Sequence, residues 1–148
     1  GLDFQSGGWT LSTATGPFTL TVGGAGIATA AGTVTISAPL SLGAAQTWNV
    51  GGTTLTVSGG VGGAGALTKS GSGTLTFGAG NSASSDVELD AGTINWSGTN
   101  TSNSFHAITI NGGILTLGDN KLTSGTGVIT VNAGAKLSTG SSTTNNSS

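Results

Sequence analysis

The sequence predicts an all-β chain wound as a right-handed parallel β-helix, a solenoid of about seven rungs of roughly 21 residues each. Three observations carry that prediction. Apolar residues recur in columns at a nearly fixed spacing. Strand-forming residues dominate, with no helical stripe beside them. Tight-turn residues recur at the same period as the apolar columns.

The columns fix the core. Gly8, Gly32, Gly52, Gly73, Gly92, Gly113 and Gly134 each stand two or three positions before an apolar residue. Those residues are Leu11, Val34, Leu55, Leu75, Ile94, Leu115 and Leu137, spaced by 23, 21, 20, 19, 21 and 22 positions. A second column lies two residues on, at Ile36, Val57, Phe77, Trp96 and Leu117. Residues i and i+2 of a strand share a face, so both columns point into one interior. The expected core stack is Leu55, Val57, Leu75, Phe77, Ile94, Trp96, Leu115 and Leu117. A sandwich has no need of columns at this period, whereas stacked rungs do.

Composition sets the class of structure. Gly, Thr and Ser fill half of the 148 residues, and charged residues make up 5%, against roughly 25% in an ordinary soluble domain. Disorder normally brings high net charge and few β-branched residues. Here the formal charge is −2, and Thr, Val and Ile are plentiful, a mixture that favours strands.

Turns fall where the coil needs corners. Val87-Glu-Leu89-Asp-Ala-Gly92, Ile108-Thr-Ile110-Asn-Gly-Gly113 and Ile129-Thr-Val131-Asn-Ala-Gly134 each read as a strand, a tight turn and the start of another strand. Asp90, Asn111 and Asn132 hold one turn position at 21-residue spacing. Asn and Asp tolerate positive φ and hydrogen-bond locally, which suits a sharp corner. These three are expected to stand above one another as a ladder.

Several functions are excluded by what is missing. With no Arg and three Lys, the chain has no basic patch for nucleic acid or an anionic membrane. It has no Cys, so thiol chemistry and Cys-ligated zinc are out. No apolar run reaches the length of a membrane span. No cofactor and no metal site are expected. The missing initiator Met points to Gly1 as a processed or excised start. Residues 1–140 read as a single solenoid segment, and 141–148 as a Ser/Thr/Asn-rich linker or irregular turn.

One stretch carries a family resemblance. Gly62 to Asn81, GGAGALTKSGSGTLTFGAGN, resembles the autotransporter-associated β-strand repeat of bacterial passenger domains through Gly63, Gly65, Leu67, Lys69, Gly71, Gly73, Thr74, Leu75, Phe77 and Asn81. After Asn81 the chain departs from the family's pattern. The stretch Leu40 to Gly59 is similar to repeats of very large bacterial surface proteins. The resemblance implies a secreted, extracellular or cell-surface β-helix.

Candidate chemistry is sparse. Asp86, Glu88 and Asp90, at i, i+2 and i+4, share the outward face of one strand, with His106 one rung on. Carboxylates so placed could serve acid–base cleavage of a polysaccharide, or simply keep a charged edge solvated. The outward pairs Thr33/Thr35, Thr54/Thr56 and Thr74/Thr76 form a two-column array, broken at Ile114 and Lys136. Such an array could bind glycan or ice, with the aromatic Trp9 as a second binding candidate; Thr is also an ordinary outward strand residue.

The expected function is therefore structural and non-enzymatic: an extracellular solenoid segment of a bacterial surface fibre, filament or adhesin passenger. A glycan- or ice-binding module on the Thr face, and a polysaccharide-degrading enzyme, are the alternatives. Neither terminus offers a helical cap. The edges are expected to be completed by neighbouring repeats of a longer chain or by another copy stacked head-to-tail. Surface glycans are the other partner considered.

Overall fold

The computed structural model of the chain describes residues 1–13, 16, 18–78, 85–96, 106–117 and 127–139. Those residues form strands, bends and turns, with no helix among them. In chain order the first turn of the coil holds β1 (Leu2–Phe4), β2 (Trp9–Leu11) and β3 (Leu20–Val22). The second holds β4 (Ile27–Thr29), β5 (Thr33–Ile36) and β6 (Leu40–Leu42), and the third β7 (Gln46–Val50), β8 (Thr54–Val57) and β9 (Val61–Gly63). Two strands of each later turn are described: β10 (Leu67–Ser70) and β11 (Thr74–Phe77), β12 (Val87–Leu89) and β13 (Thr93–Trp96), β14 (Ile108–Ile110) and β15 (Ile114–Leu117), β16 (Ile129–Val131) and β17 (Lys136–Thr139).

Strands of successive turns pair in parallel, which makes the fold a β-solenoid. The first sheet runs β1-β4-β7-β10-β12-β14-β16 and the second β2-β5-β8-β11-β13-β15-β17, each seven strands deep. A third, β3-β6-β9, closes the early turns. Its strands are only three residues long, and the sequence columns did not reveal it.

The core follows the pattern of alternation. In the second sheet one inward column runs Val34, Leu55, Leu75, Ile94 and Leu115, each 0% exposed. The other runs Ile36, Val57, Phe77, Trp96 and Leu117, all buried. Phe77 stacks on Trp96 with ring centroids 5.0 Å apart and meets Trp48 of the first sheet at 6.3 Å. Contacts of this kind add to the burial of the rings themselves.

The first turn corrects the expected alignment. Trp9, not Leu11, pairs with Val34, and Leu11 pairs with Ile36. Counting from Gly8 chose the wrong one of two apolar residues, because this turn is longer than the rest. The turn glycines also diverge from a uniform column. Gly32, Gly92, Gly113 and Gly134 have positive φ, but in the fourth turn positive φ falls on Gly71 rather than on Gly73.

Candidate functional site

The alternation that buries Leu67 also turns Lys69 inward, since the two are i and i+2 in β10. Lys69 is 0% exposed. In its column it lies between Trp48 of β7 and Leu89 of β12. The ammonium reaches the corner where the first sheet turns into the second. There it donates to the carbonyl oxygens of Ser70 at 2.9 Å, Gly71 at 2.6 Å and Ala91 at 2.9 Å. An ammonium has three N–H donors, so all three are used. Burial lowers its pKa from 10.5 to about 8, because a low-dielectric interior disfavours the charged form.

Gly92 makes room for that arrangement, and Gly71 packs tightly on the turn before it. Gly71 has φ 79° and lies under Val50, so any side chain there would meet the Val50 carbonyl oxygen. Gly92 has φ 74°, and a Cβ on it would stand 2.7 Å from Lys69 Nζ and 2.5 Å from the Gly71 oxygen. Sequence reasoning missed this centre, treating Lys69 only as part of a repeat motif. The signal was available: Lys69 occupies the inward phase of Leu67-Thr68-Lys69. Asn81, the last residue of the motif, lies outside the described residues.

A second buried polar group closes the opposite end of a neighbouring strand. Gln46, at the start of β7 and 5% exposed, donates from Nε2 to the carbonyls of Val22 at 2.9 Å and Ala44 at 3.2 Å. Its Oε1 accepts from Trp48 Nε1 at 2.8 Å. Both groups serve main-chain carbonyls at corners, where an unpaired oxygen would otherwise be costly.

The outward corner carries Asp90, Asn111 and Asn132 above one another. Asn132 Nδ2 donates to Asn111 Oδ1 at 2.8 Å, and Asn111 Nδ2 donates to Asp90 Oδ1 at 2.9 Å and to Glu88 Oε1 at 2.5 Å. Main-chain bonds run beside them, from Asp90 N to the Lys69 oxygen, from Asn111 N to the Leu89 oxygen and from Asn132 N to the Ile110 oxygen.

The three carboxylates do not converge on one point. Asp86, Glu88 and Asp90 are all exposed. Asp86 Oδ1 lies 2.8 Å from His106 Nδ1, while Glu88 and Asp90 share Asn111. No group of three His, Cys, Asp or Glu able to hold a metal ion occurs among the described residues.

No family model matches the sequence, nor does any curated protein or solved structure.

The Thr face is in register. One outward column of the second sheet runs Thr33, Thr54, Thr74, Thr93, Ile114 and Lys136. The other runs Thr10, Thr35, Thr56, Thr76, Asn95, Thr116 and Ser138. The interruption expected at Ile114 and Lys136 therefore touches one column only; the second stays uncharged and hydrogen-bonding throughout. Trp9 is 57% exposed and borders an open cleft with Asp3, Phe4, Gln5 and Ser6.

Proposed function

We propose that this chain is a structural β-solenoid, a segment of an extracellular bacterial surface fibre, filament or adhesin passenger. One observation supports this reading above others. Trp9 and Leu137 belong to the same inward column as Val34, Leu55, Leu75, Ile94 and Leu115. The five between them are fully buried, yet Trp9 is 57% and Leu137 39% exposed. Further rungs stacked on either side, covalent or from another copy, would bury both and satisfy the open strand edges. The resemblance around Lys69 to the autotransporter-associated repeat points the same way, and a rod of this kind needs no catalytic residue.

Sedimentation velocity over a wide concentration range tests self-stacking. Head-to-tail association should appear as growing rods, and Trp9→Lys with Leu137→Lys should abolish it. A single monomeric species at every concentration overturns the self-stacking reading.

A binding role for the Thr face is the second reading, favoured by the uninterrupted column from Thr10 to Ser138. β-Branched side chains are stiff about χ1, so the hydroxyls and methyls form a rigid array. Freezing hysteresis or retention on an insoluble glycan, lost in Thr56→Tyr, is the expected result. Neither effect in the wild-type chain ends this reading.

A further inference from the structure

Parallel stacking of near-identical rungs leaves a question of register. A one-residue slip turns every inward residue outward and is strongly opposed. A two-residue slip is not, because the inward and outward phases are preserved. Shifting β10 by two residues along β12 would set Leu67 against Leu89 instead of Val87, apolar against apolar. Within this sheet hydrophobic burial separates the two alignments only through Val87, which the slip would set beside Gly65.

Lys69 discriminates sharply. Its Nζ is held by Ser70 and Gly71 within its own turn and by Ala91 of the next. After a two-residue slip the Ala91 carbonyl moves away by a full strand repeat, and a buried ammonium is left short of an acceptor. A buried charge without its partners is among the costliest defects in a protein interior. We propose that Lys69 is a register pin, a buried cation that admits only one alignment of the fourth turn of the coil on the fifth. The positive φ at Gly71 and the absent side chain at Gly92 are the local adaptations that let it seat. Gln46, bonded to Val22 and Ala44 across the opposite corner, restrains the third turn in a similar manner. The middle of the rod thus holds the alignment that the simpler outer turns inherit.

The chain has no cysteine, so introduced pairs report without interference. Thr68 and Glu88 face each other in the native register, about 4.8 Å apart as adjacent strands are, within disulfide reach. Thr68 and Asp90 are offset by two residues, beyond the roughly 7 Å limit for bridging. With Lys69 present, oxidation during refolding should link Thr68→Cys to Glu88→Cys and leave Thr68→Cys with Asp90→Cys unlinked. In Lys69→Met, which keeps the length and loses the charge, both pairs should cross-link in comparable yield. The midpoint of thermal unfolding should fall, since three carbonyls lose their donor, so the yields are compared well below each variant's own midpoint, which separates lost register from lost stability. If Lys69→Met fails to fold, Lys69→Gln decides: with fewer donors for the same carbonyls, it should give the offset product that the lysine chain does not. Absence of the offset product from every variant that folds overturns the proposal.

Discussion

The same corner of the coil is closed in two ways. In the fourth turn it is closed from inside, by the buried ammonium of Lys69 on three carbonyl oxygens. In the turns that follow it is closed from outside, by the exposed ladder of Asp90, Asn111 and Asn132. The inner solution is singular, since a charge in the core must find all its partners at one place. The outer one propagates: the Asn111 amide both donates and accepts, so the next rung can repeat it. Hydrogen bonds to a charged donor in the interior are also worth more than those between neutral groups in water. The molecule therefore combines one demanding closure with several permissive ones.

Four measurements would break or sharpen this contrast, and the largest effect belongs to the interior. Phe77→Ala and Trp96→Ala should each lower stability by roughly 3–5 kcal/mol in denaturant unfolding, because they empty the stack beside the inner corner. A loss below about 1 kcal/mol would show that the interior collapses easily there.

The pH dependence comes next. Lys69 has a pKa of about 8 in the folded chain, against the ordinary lysine value of 10.5 that the solvated, unfolded chain restores. Between those values the unfolded chain keeps a proton that the folded chain releases, so stability should rise with pH across that window. Below pH 8 both states are protonated and this group contributes no slope. Lys69→Met should lose the rise; an unchanged profile would assign it to another group.

Asn111→Leu removes the middle of the outer ladder. It should cost about 1 kcal/mol and leave the far-UV dichroism unaltered. A loss as large as that of Phe77→Ala would erase the distinction between inner and outer closure. His106→Ala breaks an exposed pair with Asp86 and should change stability by less than about 1 kcal/mol.

Much of the fold was legible because its sequence signals were redundant. The Thr-x-Thr segments and the apolar residues between them specify which face is inward, and the register at Val34–Leu55–Leu75–Ile94–Leu115 follows from that. The Asn111–Asn132 ladder was legible for a similar reason, since its residue type and spacing agree. Leu11 was set in the wrong column because two apolar residues, Trp9 and Leu11, compete in a longer turn. The third sheet escaped notice because three-residue strands such as Leu20–Val22 carry too little alternation. Lys69 was overlooked as a core residue because lysine is almost never fully buried; only the phase of its strand revealed it.

Among the described residues, every ladder joins a turn only to the turn before it and the turn after it. The inter-strand bonds of a parallel sheet lie across its strands, which here means along the axis of the rod. A load applied between the two ends would therefore meet these bonds in series, one rung at a time, rather than shear them all together. A solenoid loaded in that way would yield by peeling, in short lengths of about 21 residues. The Ala91 bond of Lys69 adds a side-chain fastening to one step of that sequence. A pulled chain would show a distinct step there, set apart from the steps of the outer rungs.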